Sequence, residues 1–170
     1  MSVENLTCIP LKNIQNARLN LHSVKKSPLL PLNFDWPDGK IYLKLENLHP
    51  IGSFKVRGAL NAIKSLSPEK LKRGVYTASA GNFAQGLALA AKEVGVPCTA
   101  IVPDTAPVAK VKAIERLGAS VVRVSYGAWW DVITTHAYAG MDATFIHPVA
   151  NADVIAGTNI ITPALFNNNY

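Results

Sequence analysis

From residue 74 onward the chain alternates short apolar runs with amphipathic ones, at a spacing that leaves few folds open. Residues 75–78, 98–102, 121–124 and 143–146 read as strands, and 81–94, 108–117 and 128–138 between them as helices, followed by a short helix around 154–156. Strands separated by a helix cannot close a tight hairpin. Each crossover returns the chain parallel to where it started and lays the helices over both faces of the sheet. The fold class is therefore α/β, a parallel-sheet three-layer αβα.

The first 73 residues are less regular. Apolar positions at Ile14, Ala17, Leu19 and Leu21 suggest a helix, closed by a turn at Ser27 and Pro28. Residues 34–40 read as a loop, 41–45 as a strand by apolar–polar alternation, and 46–53 as a second loop carrying Pro50 and Gly52. Ser53 is the expected N-cap of a helix running toward Leu66, with Ala59, Leu60 and Ile63 on its inner face. Residues 162–170 show neither period.

Composition narrows the function. Of 170 residues, 49% are hydrophobic and 16% charged, enough apolar material for a core, which excludes disorder and coiled coil. The net charge of +6, from 17 basic and 11 acidic side chains, is concentrated before residue 74, where 12 basic residues face 5 acidic ones. Those lysines are scattered over several segments without interleaved aromatics, the pattern of a solvated surface; no nucleic-acid partner is expected. No apolar stretch approaches the roughly 18 residues a membrane span needs. Glu4 stands where a secretory signal would carry positive charge, and Cys8 and Cys98 form no CxxC pair, so a cytoplasmic location is expected. His22, His49, His136 and His147 lack metal-ligand spacing and read as structural or surface residues, and no metal site is expected.

Two constellations remain that can carry chemistry. In Gly52-Ser53-Phe54-Lys55-Val56-Arg57-Gly58 a Pro/Gly loop delivers a lysine into the first turn of a helix, where the positive end of the helix dipole and partial burial both favour the neutral amine. Such an amine forms a Schiff base with an aldehyde and later acts as a base. The second is Ser79-Ala80-Gly81-Asn82-Phe83-Ala84-Gln85-Gly86, a strand-to-helix turn whose converging backbone N–H groups suit a carboxylate or phosphate. Leu87 and Ala88 stand where a P-loop needs Lys and Ser or Thr, and no GxGxxG is present, which argues against nucleotide chemistry.

Together, the run from Lys44 to Gly58 and the run from Ser79 to Gly86 resemble the two motifs of the threonine dehydratase and serine racemase family of fold-type-II pyridoxal-phosphate enzymes. The resemblance extends through residues 102–107, with Lys110 and Lys112, to 145–149 and 153–157, covering about 14–157. It implies a tryptophan synthase β-subunit-like fold with residues 1–74 in a large domain that includes the lysine helix. Residues 75–150 would form a smaller βαβ domain, and 151–170 the return to the large one with a diverged tail. It further implies pyridoxal 5'-phosphate as cofactor, held covalently by catalytic Lys55, with Phe54 packed beside it and Asn82 bonded to its 3-hydroxyl. Ser79, Ala80, Gly81, Asn82 and Gln85 would hold the substrate carboxylate.

The implied activity is a lyase reaction on L-threonine or L-serine giving a 2-oxo acid and ammonia. Racemases of the group carry a second serine in the Ser-Ser-Gly-Asn version of the loop; Ala80 at that position favours elimination over racemisation. His49 stands where the family usually has Gln, Ile51 where Thr is common, and after Gly157 the family pattern gives way to Thr158-Asn159-Ile160-Ile161. The family's glycine-rich phosphate loop and the group facing the pyridine nitrogen lie beyond this point. The chain is expected to be the N-terminal half of such an enzyme, with exposed strand edges and an uncovered apolar face around 41–45. The competing expectation is a non-catalytic module that binds an amino acid or a full-length relative, with serine racemase as a minor alternative; as partners, a homo-oligomer or association with a full-length relative is expected.

Overall fold

The structure is a computed structural model, which describes residues 8–34, 37 and 39–161. The expectation for 162–170 lies outside the described residues. In chain order the elements are α1 (Leu11–Asn20), β1 (Leu29–Pro31), β2 (Tyr42–Lys44), a single 3-10 turn (Glu46–Leu48), α2 (Lys55–Lys64), α3 (Pro68–Lys72), β3 (Val75–Ala78) and α4 (Asn82–Val94). There follow β4 (Cys98–Pro103), α5 (Val108–Arg116), β5 (Ser120–Val124), α6 (Tyr126–Thr135), β6 (Thr144–Phe145) and α7 (Ala152–Asn159).

The strands β3 to β6 form one parallel sheet in the order β5-β4-β3-β6, with Val75 opposite both Cys98 and Thr144. Side-chain alternation sorts the two faces. Val75, Ala100 and Val102 face the larger core, together with Leu60, Ile63, Phe83, Leu87 and Ile114 from the helices. Tyr76, Ala78 and Ile101 face the other way, toward Val132 of α6. The larger core also takes in Leu21 and Val154, so α1 and α7 share it with α2 and α4.

Several boundaries differ from the sequence expectation. The expected N-cap Ser53 lies one residue further out: Phe54 takes the cap position, while the Ser53 hydroxyl accepts the Lys55 N–H at 3.3 Å. Within the expected loop 46–53 the chain makes the 3-10 turn, and 29–31 forms a strand that pairs antiparallel with β2. The last helix is eight residues rather than three. On the hairpin of β1 and β2 and the turn after it, Leu30, Leu43, Tyr42 and Leu48 are exposed, the apolar face that the sequence led us to expect.

Helix α2 is held from three sides. It crosses α7 where Gly58 and Gly157 meet: a Cβ on Gly157 would lie 2.6 Å from Asn61 Cβ and 3.1 Å from Gly58 Cα. It meets α4 at Gly86, whose Cβ would fall 3.1 Å from the Lys55 carbonyl oxygen. Asn61 joins three helices, accepting from Asn20 Nδ2 at 2.9 Å and donating to the Asp153 carbonyl at 2.8 Å.

Candidate functional site

Lys55 is the first residue of α2, and its backbone touches α4 one turn in, at Gly86. That approach brings the lysine beside the β3–α4 turn. Its Nζ lies 5.3 Å from the Phe54 ring centre and 5.9 Å from that of Phe83, the second residue of α4. Its recorded polar neighbour is the Pro148 carbonyl oxygen at 3.5 Å, from the loop between β6 and α7. Burial lowers the Lys55 pKa below the ordinary lysine value, and among the described residues no acidic partner opposes the shift. The result is an amine with a raised neutral fraction between two aromatic rings.

The second constellation lies at the C-terminal end of β3. Ser79 and Ala80 are half-buried, Gly81 caps α4 in an extended conformation, and Asn82 opens the helix with its side chain exposed. The Ser79 hydroxyl accepts the Gly81 N–H at 3.2 Å, which tightens the turn, and Gln85 sits half-buried one turn on. No side-chain cap satisfies the first N–H groups of α4, leaving donors of the kind a carboxylate takes. A ligand lying at the carboxyl end of a parallel strand and the start of the next helix is the usual arrangement in open α/β sheets.

Behind the lysine helix lies a polar network the sequence analysis did not identify. Arg57 donates to both carboxylate oxygens of Glu46, from Nε at 2.8 Å and Nη2 at 3.0 Å, and the Ser27 hydroxyl donates to the same carboxylate. His49 Nε2 lies 3.1 Å from Arg57 Nη2 and 3.1 Å from Glu46 Oε2. Burial raises the Glu46 carboxyl pKa, but the hydrogen bonds from Arg57 and Ser27 outweigh it and hold it below the usual value. Burial first and the Arg57 charge second push His49 down. The network ties the 3-10 turn to α2 two residues past Lys55.

Of the four histidines, His22 and His136 are exposed, and His49 and His147 are buried with polar partners. Among the described residues no three metal-ligating side chains are gathered, and no helix is long and apolar enough to cross a membrane.

The lysine at the start of α2 and the turn before α4 thus stand side by side on a parallel α/β sheet, an arrangement open to several classes of ligand. The comparisons narrow the class. The family model for pyridoxal-phosphate-dependent enzymes matches residues 21–167, and the chain belongs to that family. The L-threonine ammonia-lyase of Thermotoga maritima is 41% identical over 159 residues, covering 90% of this chain and 39% of that relative. The catabolic L-threonine dehydratase TdcB of Staphylococcus aureus is 35% identical over 166 residues, 95% of this chain and 48% of that one. Among solved structures, serine racemase from Dictyostelium discoideum superposes with a TM-score of 0.79 at 38% identity, over 88% of this chain and 50% of that one. The chain thus spans half or less of the length of these relatives, and the parallel sheet is that of fold-type-II enzymes.

Proposed function

We propose that this chain forms the lysine half of the active site of a pyridoxal-phosphate-dependent ammonia-lyase acting on L-threonine or L-serine, in the cytoplasm. The observation that carries this reading is the Lys55 amine: desolvated, without an acidic partner in its pKa balance, and set between Phe54 and Phe83 beside the turn 79–82. These residues fit the cofactor, because an aldehyde needs a neutral amine and a flat pyridine ring needs apolar walls.

Lys55 would hold the cofactor covalently, and Phe54 and Phe83, whose ring centres lie 5.3 and 5.9 Å from its nitrogen, would exclude water from the amine. Asn82, exposed at the first position of α4, is placed to bond a ring hydroxyl. Ser79, Ala80 and Gly81, with Asn82 and Gln85, would receive the substrate carboxylate through the Ser79, Asn82 and Gln85 side chains and the uncapped N–H groups that open α4, the N–H groups of Ser79, Gly81 and Gln85 themselves being bonded to the Ile101 carbonyl, the Ser79 hydroxyl and the Gly81 carbonyl. Pyridoxal phosphate, when bound, supplies the electron sink that acidifies the hydrogen on the substrate α-carbon. With the group bound, Lys55 Nζ would be the base that takes that proton, and the β-hydroxyl would need a proton in turn to leave as water.

Ala80 supports elimination over racemisation, since a methyl group cannot deliver a proton to the face opposite Lys55. The test is a spectroscopic titration of the chain with pyridoxal phosphate, followed by assay of 2-oxo acid from L-threonine and L-serine, with Lys55→Ala as control. A lysine-linked absorbance band lost in the variant, with oxo-acid release, supports the reading. A band that persists in Lys55→Ala overturns it.

A further inference from the structure

The loop between β6 and α7 is shaped by one buried side chain. His147 is 8% exposed, and its Nδ1 accepts two backbone N–H groups, from Val149 at 3.1 Å and Ala150 at 2.7 Å. Two donors on one nitrogen leave no room for a proton there, so any ring proton of the neutral histidine sits on Nε2. The ring is wedged against His136 at 5.0 Å between centres and Phe145 at 6.0 Å. The residue between His147 and the first N–H it binds is Pro148, whose carbonyl oxygen faces Lys55 Nζ.

We propose that His147 is a positioning residue for the Lys55 amine: by tying down the Val149 and Ala150 N–H groups it holds Pro148 over Lys55 and keeps water from the nitrogen. The inference deepens the reading of Lys55 as the reactive amine. Without the two bonds the N–H groups of exposed Val149 and Ala150 turn to solvent, and half-buried Pro148, no longer tethered through them, is free to leave the Lys55 nitrogen to water. Burial is what depresses the Lys55 pKa, so a wetter loop returns the amine toward its ordinary value; the long contact to Pro148 is too weak to dominate. The ionisable neighbour that the His147 ring meets is His136, whose own backbone carbonyl accepts from the Tyr76 hydroxyl at 3.3 Å.

Two replacements separate the hydrogen bonds from the packing. His147→Asn keeps an acceptor at the same reach and gives up ring contact; His147→Phe keeps a ring and gives up the acceptor. The readout is competitive trace-labelling with acetic anhydride across pH, quantified by peptide mass spectrometry, with surface lysines as internal standards and no cofactor present. The proposal expects Lys55 labelling in His147→Phe to move to higher pH, about threefold or more slower near pH 8 for a half-unit shift. His147→Asn should keep the wild-type profile even where its melting temperature is lower. Profiles shifted equally in both variants, or in neither, overturn the proposal. A wild-type Lys55 profile like that of surface lysines would instead overturn the reading of Lys55 on which it rests.

Discussion

Replacing Gly58 by alanine tests the helix crossing that holds Lys55 in place. A Cβ at this position would lie 2.6 Å from the Val154 carbonyl oxygen, 2.7 Å from Thr158 Oγ1 and 3.0 Å from Val154 Cγ1. The first of these is backbone, so relief requires α7 to move away from α2. Alanine adds about 1 kcal/mol of helix propensity, whereas overpacking of a fixed contact costs about 3 kcal/mol at the upper end of its range. The net expectation is a loss of about 2 kcal/mol, or about 4–8 °C in Tm for a chain of this size. The control is Gly127→Ala in α6, where a Cβ meets nothing within 4 Å and the propensity gain of up to about 1 kcal/mol stands alone. Thermal melts followed by circular dichroism, with urea titration as a second measure, read both. A Gly58→Ala variant as stable as the wild type, or more stable, would refute the close α2–α7 crossing.

Three further outcomes follow from the buried groups. Arg57→Met leaves the Glu46 carboxylate, whose side chain is 12% exposed, without its cation and should destabilise by about 3–5 kcal/mol; adding Glu46→Gln should recover part of the loss, measured by urea unfolding. His49 and His147 both have lowered pKa values in the folded chain, so the unfolded chain binds more protons. Their stabilising contribution is fully present above the ordinary histidine value of about 6.5 and is lost as pH falls through the depressed folded values, and His49→Gln should flatten part of that slope. The Cys98 thiol, buried and pushed up to about 12, should resist thiol reagents until the chain unfolds, while exposed Cys8 reacts at once; a mass-spectrometric time course distinguishes them.

The parallel sheet was legible because each of its strands is an apolar run followed by a turn and an amphipathic helix, a pattern set by local periodicity. Strand β1 was not, since three residues flanked by Pro28 and ending in Pro31 carry too little alternation and Pro marks an edge. Helix α3 was missed: Ser67 ahead of Pro68 is a helix-start signal, but five residues are too few for a period to show. The full length of α7 was hidden by Gly157, which weakens a helical reading and is there because the Arg57 carbonyl oxygen of α2 lies 2.8 Å from where its Cβ would be. Lys55 and the turn 79–82 stood out as motifs. The bond of Arg57 to Glu46 spans eleven residues across a loop, and the bonds of His147 to its own loop have no periodic signature, so neither was visible before the chain was folded.

Lys55 alone among the lysines is expected to capture the cofactor aldehyde. Reduction with borohydride after incubation with a stoichiometric amount of pyridoxal phosphate, followed by peptide mapping, tests it directly. The account predicts one label per chain on the peptide carrying Lys55, lost in Lys55→Ala. Label spread over the surface lysines with Lys55 unmodified would contradict it.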